Sequence, residues 1–246
     1  MDDIKIIGHR GVRSIETENT LASLTRSASL DVDAIEFDLR LSKDKQLVLC
    51  HNRNLQKIYG LNKNVEDLSL EELKQLSSKN GERIPTLQEV LNLRIKKPLL
   101  IEVKNGGSAD LVFQTMEKPE NRNARWMVNT HVLSEATRFR QLSTTLGISI
   151  ATYKRAGLRA IFDSHPIRTI RFARSINATA VTFNLFILNP LTYILARRAN
   201  LRIFLYQNYL PFLLNSPVFV RLLLFFYPGL TIVTDRPDKI LHIIKR

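Results

Sequence analysis

The chain has 246 residues, 44% of them hydrophobic and 24% charged, which suits one large soluble core and matches the length of a (β/α)8 barrel. Its single cysteine, Cys50, excludes an internal disulfide. A net charge of +13 excludes nothing about the fold but favours anionic partners, and after Ile150 there are 14 Lys+Arg against three acids. With one thiol and an acidic start, Asp2-Asp3, where a secretory signal carries basic residues, a cytoplasmic protein is expected.

Residues 4–8 form a first apolar run, predicted as a strand. Asn19 or Thr20 is placed to cap a helix through about Leu30, with Leu21, Leu24 and Ala28 as its buried stripe. Residues 34–41 alternate: Ile35, Phe37 and Leu39 share one face, and Glu36, Asp38 and Arg40 share the other. An apolar outer face calls for covering helices, and a polar inner face suits a barrel mouth. Residues 46–51 form the next strand, after a turn at Lys43-Asp44-Lys45. Residues 52–84 are polar, contain a capping box from Ser69 to Glu72, and are expected to form an inserted subdomain. A second capping box, Thr86 to Glu89, opens a helix ending near Ile95.

Strand and helix then alternate. Strands are predicted near 98–104, 125–130, 148–153, 179–184, 201–206 and 230–234, and helices near 108–117, 134–145, 166–176, 190–199, 217–226 and 237–245. Three helix starts pair a polar cap with a first-turn proline: Ser164 with Pro166, Asn189 with Pro190, and Ser216 with Pro217. The repeated units point to an α/β chain folded as a parallel (β/α)8 TIM barrel, interrupted after the strand ending at His51.

The chemistry-bearing residues cluster at strand ends. Glu36, Asp38 and Glu102 offer hard oxygen ligands with no accompanying Cys/His cluster, favouring Mg2+ or Ca2+ over Zn2+. The structural alternative is a set of salt bridges to Arg40 and Lys104. His9 and His51 each close a strand and can exchange protons near neutral pH, whereas His131, His165 and His242 are read as structural. Arg10 can hold phosphate oxygens bidentately and Lys104 as a point charge, and Gly11 lets the backbone approach a ligand. No P-loop, dinucleotide glycine motif, G-x-S-x-G or C-x-x-C occurs, which argues against nucleotide, hydride and acyl-transfer chemistry.

His9-Arg10-Gly11, Glu18-Asn19-Thr20, Glu36-Phe37-Asp38, Ser42-Lys43-Asp44, His51, the run from Gly81 to Leu87, Glu102-Val103-Lys104 and Thr234-Asp235-Arg236-Pro237 occur in one order and spacing. In these motifs the chain resembles the glycerophosphodiester phosphodiesterase family. The resemblance implies a TIM barrel with a small insertion after the second histidine. It also implies hydrolysis of glycerophosphodiesters to sn-glycerol 3-phosphate and an alcohol. Glu36, Asp38 and Glu102 would then bind one divalent cation, Mg2+ or Ca2+. His9 and His51 would be the acid–base pair, with His9 the base and His51 the acid or the reverse order, and Arg10 and Lys104 would hold the phosphate. Two departures stand out. The family's usual aspartate after the second histidine is Asn52, and its tryptophan-containing strand is replaced by Ile203-Phe204-Leu205-Tyr206-Gln207-Asn208.

Residues 209–227 are strongly apolar but are broken by two prolines and Arg221, and the helical part, about ten residues, is too short for the ~20 apolar residues of a membrane span. One reading is a barrel helix with an apolar loop packed on the insertion; in the other, Leu210, Phe212, Leu213 and Leu214, with Lys154, Arg155 and Arg159, form a lip at the active-site mouth. Such a lip would meet an anionic membrane or an acyl chain. That expectation makes lysophospholipids alternative substrates, turned over by a lysophospholipase-D-like reaction. Arg168, Arg171 and Arg174 read as a solvated helix face. Two competing classes are a catalytically weak barrel that only binds phosphodiesters or membranes, and a nucleic-acid binder. The second has only charge in its favour, since no binding motif accompanies it, and no nucleic-acid partner is expected.

Overall fold

The structure, a computed structural model, describes residues 5–152, 166–185, 187–206 and 216–244. Eight parallel strands close into a barrel: β1 (Ile6–Gly8), β2 (Ala34–Leu41), β4 (Leu99–Val103), β5 (Trp126–Thr130), β6 (Gly147–Ala151), β7 (Ala180–Asn184), β8 (Arg202–Tyr206) and β9 (Leu230–Thr234). Closure comes from β1, which pairs in parallel with β2 on one side and β9 on the other. The ninth strand, β3 (Leu47–Leu49), is not a barrel stave. It runs antiparallel to β2, with Leu39 opposite Leu49 and Leu41 opposite Leu47. A tight turn forces this direction: Ser42 N donates to Gln46 O at 3.0 Å, and Lys45 takes a left-handed φ of 61°. So few residues can only fold a strand back, since a parallel return needs a crossover.

The alternation in β2 sorts side chains to two cores. Ile35, Phe37 and Leu39 join the layer between sheet and helices, together with Leu24, Ile101, Val128, Phe139, Ile203 and Ile232. Inside the barrel, Ile7, Ala34, Leu100, Met127, Ala180, Phe204, Tyr206 and Val233 form a separate cluster. Apolar burial of this kind contributes about 25 cal/mol per Å2, so the two-sided sheet supplies most of the drive to close. Above this filling, toward the C-terminal strand ends, the inward residues turn polar.

Between β3 and β4 lie α2 (Gln56–Tyr59), a 3-10 turn (Val65–Asp67), α3 (Leu70–Gln75) and α4 (Leu87–Asn92). Val48, Cys50, Leu55, Val65, Leu68, Leu73 and Ile84 form an apolar cluster of their own. Both expected capping boxes form, Ser69 with Glu72 and Thr86 with Glu89, although α4 stops at Asn92, short of Ile95. The outer helices are α1 (Leu21–Ser29), α5 (Ala109–Met116), α6 (Leu133–Leu142), α7 (Pro166–Ser175), α8 (Pro190–Arg198), α9 (Pro217–Phe226) and α10 (Pro237–Ile244). Asn189 and Ser216 cap α8 and α9 as their prolines suggest, whereas Ser164 and His165 lie outside the described residues. No helix among the described residues is long and apolar enough to cross a membrane.

The stripe of α1 departs from expectation. Its buried residues are Ser23, Leu24 and Ser27, while Leu21 and Ala28 are half-buried. The helix packs against polar backbone rather than a purely apolar wall: the Ser23 hydroxyl donates to Arg10 O and accepts from Val12 N, both at 2.9 Å. An apolar residue at that position would leave two buried backbone groups without partners.

Candidate active site

The turn after β1 sets the site. Arg10 and Gly11 take left-handed φ angles of 51° and 80°. This bends the chain so that Arg10 N donates to Glu36 Oε2 at 2.8 Å and Gly11 N to Glu36 O at 3.1 Å. A Cβ on Gly11 would lie 2.6 Å from the Ser23 backbone, so only glycine fits. Thr20, not Asn19, caps α1 by accepting from Ser23 N. Asn19, left-handed at φ 57°, instead grips Asp38: Nδ2 donates to Asp38 Oδ2 at 2.9 Å and Oδ1 accepts from Asp38 N at 3.0 Å.

Strand register brings the acids together. Asp38 stands opposite Glu102 across the β2–β4 ladder. One carboxylate oxygen from each of Glu36, Asp38 and Glu102 lies within 4.8 Å of the others, and all three residues are buried. Lys104 Nζ sits 2.9 Å from Asp38 Oδ1 and is also bonded to Glu102 Oε1. Arg10 Nε lies 3.2 Å from Asp38 Oδ2, and its Nη1 donates to Glu18 Oε1 at 2.7 Å. Of the salt bridges weighed from sequence, the one to Lys104 forms. Arg40 instead donates to the His51 carbonyl at 3.0 and 2.8 Å.

Charge within the cluster is unequally shared. Burial would push the Asp38 carboxyl up, but Lys104 and Arg10 overcome it and hold the group well below the usual carboxylate range. Glu36 goes the other way, driven well above its ordinary value by burial and then by the Asp38 and Glu102 charges. Its Oε1 is buried with no hydrogen-bond partner among the described residues. Among the described residues, five acidic side chains (Glu18, Glu36, Asp38, Glu102 and Asp235) meet three fixed cations (Arg10, Arg13 and Lys104). A buried carboxylate oxygen with no hydrogen bond among the described residues, beside two further acids, fits a hard divalent cation.

The histidines flank this cluster. His9 is buried; its Nδ1 lies 2.5 Å from Asp235 Oδ1, its Nε2 is 3.9 Å from Glu36 Oε2, and its ring meets Tyr206 edge-on at 4.9 Å. Burial, followed by the Arg10 charge, lowers its pKa. His51 follows β3, with Nδ1 2.8 Å from Asn52 Oδ1, and burial pushes it down to about 4. All seven residues singled out from sequence thus gather at one rim, although His51 arrives from a folded-back strand.

Four partners of these residues carry no role that the sequence alone suggests. Asp235 orients His9. Tyr206 Oη donates to Glu102 Oε2 at 3.0 Å, and Asn129 Nδ2 donates to the same oxygen at 3.1 Å. Thr182 Oγ1 donates to Asn129 Oδ1 at 2.9 Å, extending the buried network across the barrel. The signal for Asn129 is a lone amide after the apolar run Trp126-Met127-Val128. His131, read as structural, lies near enough to Lys104 and Glu102 for both charges to act on it. The apolar lip of Leu210, Phe212, Leu213 and Leu214, with Lys154, Arg155 and Arg159, falls outside the described residues, as do Gln207 and Asn208.

Comparison with known proteins places this geometry in context. A glycerophosphodiester phosphodiesterase of Caldanaerobacter subterraneus is 39% identical over 110 residues, covering 41% of this chain and 45% of the relative. The human lysophospholipase D GDPD1 is 32% identical over 113 residues, covering 41% and 36%. The chain therefore spans less than half the length of these curated relatives. In fold, it superposes on an Oleispira antarctica phosphodiesterase, solved in complex with the product sn-glycerol-3-phosphate, with a TM-score of 0.82 at 17% identity, over 98% of this chain and 97% of that one. The sequence profile of the glycerophosphoryl diester phosphodiesterase family matches residues 9–207, most of the chain, and the chain belongs to that family.

Proposed function

We propose that the chain hydrolyses glycerophosphodiesters to sn-glycerol 3-phosphate and an alcohol. The observation that carries this reading is the meeting of Glu36, Asp38 and Glu102 within 4.8 Å, beside two histidines and two basic side chains. In this reading the three acids would hold one Mg2+ or Ca2+, which when bound would supply charge to neutralise and polarise the phosphate. Arg10 and Lys104, already at the acids, orient the phosphate oxygens. His9, its Nδ1–H fixed on the Asp235 carboxylate, presents Nε2 as the base that takes a proton from the neighbouring glycerol hydroxyl. That oxygen closes on phosphorus as the alcohol leaves, and His51 donates the alcohol's proton. Water then opens the cyclic phosphate with the two roles exchanged. Residues 52–84 are read as an inserted unit that braces the His51 side of the mouth.

The similarity to the human lysophospholipase D favours a second reading in which lysophospholipids are substrates of the same centre. Phosphorus NMR of glycerophosphocholine incubated with the chain and Mg2+ or Ca2+ tests the reaction. A growing sn-glycerol 3-phosphate resonance is expected. Phosphocholine as the product, or no turnover with either ion, contradicts the proposal. Run in parallel, faster turnover of long-chain lysophosphatidylcholine than of glycerophosphocholine supports the second reading.

A further inference from the structure

Two adjacent helices on the barrel wall leave apolar side chains in water. On α9, Val218, Leu222 and Phe225 recur at i, i+4 and i+7 with 68%, 49% and 77% of their surface exposed, and Phe226 beside them is 65% exposed. Leu191 and Ile194 on α8 are exposed as well. Among the described residues, these two helices carry six of the nine exposed large hydrophobic side chains, so the patch is not ordinary scatter. The helices are joined: the Tyr193 ring meets Tyr227 edge-on at 5.2 Å, and its hydroxyl donates to Pro228 O at 2.8 Å. Helix packing does not explain the pattern, because α9 already buries Val220 and Leu223 against the barrel.

The surrounding charge identifies the occupant. From Ser164 to Thr234 the chain contains seven arginines and no lysine, aspartate or glutamate. Arg221 stands exposed within the α9 face, and Arg197 and Arg198 stand exposed at the end of α8. A second copy of the chain would set arginine against arginine across such a face. An anionic bilayer instead offers phosphates to the guanidinium groups and an acyl boundary to the phenylalanine rings. We propose that the α8–α9 face docks on the surface of an anionic lipid bilayer. Both helices begin at the rim that bears the acids, since each follows a barrel strand, so the patch runs from that rim down the wall. Docking is independent of the reaction proposed above, because it is measured with no substrate present.

The test is co-sedimentation of the full chain with vesicles of phosphatidylcholine alone and of phosphatidylcholine containing about 30% phosphatidylglycerol. The wild type is expected to pellet with the anionic vesicles, less so as salt rises, and weakly with the neutral ones. Phe225→Ser with Phe226→Ser is expected to lower the apparent affinity by about tenfold or more, with Arg221→Glu acting in the same direction and circular dichroism unchanged for both. Three results would overturn the proposal. These are no binding to anionic vesicles, binding untouched by both sets of substitutions, or a wild-type dimer in sedimentation equilibrium that Phe225→Glu dissolves, which would assign the face to a second copy.

Discussion

His9 and His51 sit in different company, and the difference sets their chemistry. His9 has a carboxylate at Nδ1, whereas His51 has the neutral amide of Asn52 at 2.8 Å. An amide carbonyl accepts the ring proton but offers no charge to hold an imidazolium, so burial prevails and His51 falls to about 4. Asn52→Asp adds that charge and raises the pKa. In the acid role proposed for His51 the ring works only while protonated, so the alkaline limb of the kcat/KM profile is expected to move to higher pH. Turnover at pH 7 should rise, by about tenfold for every whole pH step that the limb travels. Superimposable pH profiles for wild type and variant would show that His51 is not the acid. At this scale the sequence disclosed the groups that carry charge and missed those that place them. A carboxylate at a strand end is visible as a chemical type. Tyr206 reads as one more apolar strand residue until the barrel closes and sets its hydroxyl against Glu102.

At the scale of elements, alternation in β2 was enough to separate wall from mouth, since period two admits only two faces. The direction of β3 was harder to read. Its three apolar residues suit either direction, and only the short connection from Leu41 to Leu47 specifies a hairpin. His51 depends on that hairpin, which brings it back over Asp38: Cys50 N donates to Asp38 O at 3.1 Å. The His9-Arg10-Gly11 turn is the other element on which the centre depends. Gly11→Ala is expected to destabilise the fold by about 3 kcal/mol or more, because the new methyl group meets backbone in an already left-handed residue. Urea melts monitored by circular dichroism check this. A variant as stable as wild type would mean that α1 can move away from the turn, which the two Ser23 hydrogen bonds oppose.

For the whole molecule, barrel closure makes one site of residues that lie far apart in the chain. Asp235 follows the last strand and meets His9 after the first, because β1 and β9 are neighbours, with Gly8 opposite Thr234. The strand count and the repeat of β-α units made that closure legible. The fine electrostatics were not, since they arise from burial that no local pattern encodes. Glu36 is the clearest case: by sequence it is an ordinary acid, and in the fold it is buried with one carboxylate oxygen lacking a hydrogen bond among the described residues. The most direct measurement is turnover of glycerophosphocholine by chelator-treated chain, before and after addition of Mg2+ or Ca2+, for wild type and Glu36→Gln. Chelation is expected to abolish turnover and an added ion to restore it in the wild type, while Glu36→Gln, still folded, regains less than about one hundredth of that rate. Full activity in chelator, or restoration of Glu36→Gln to the wild-type rate, would contradict a metal-dependent centre built on Glu36.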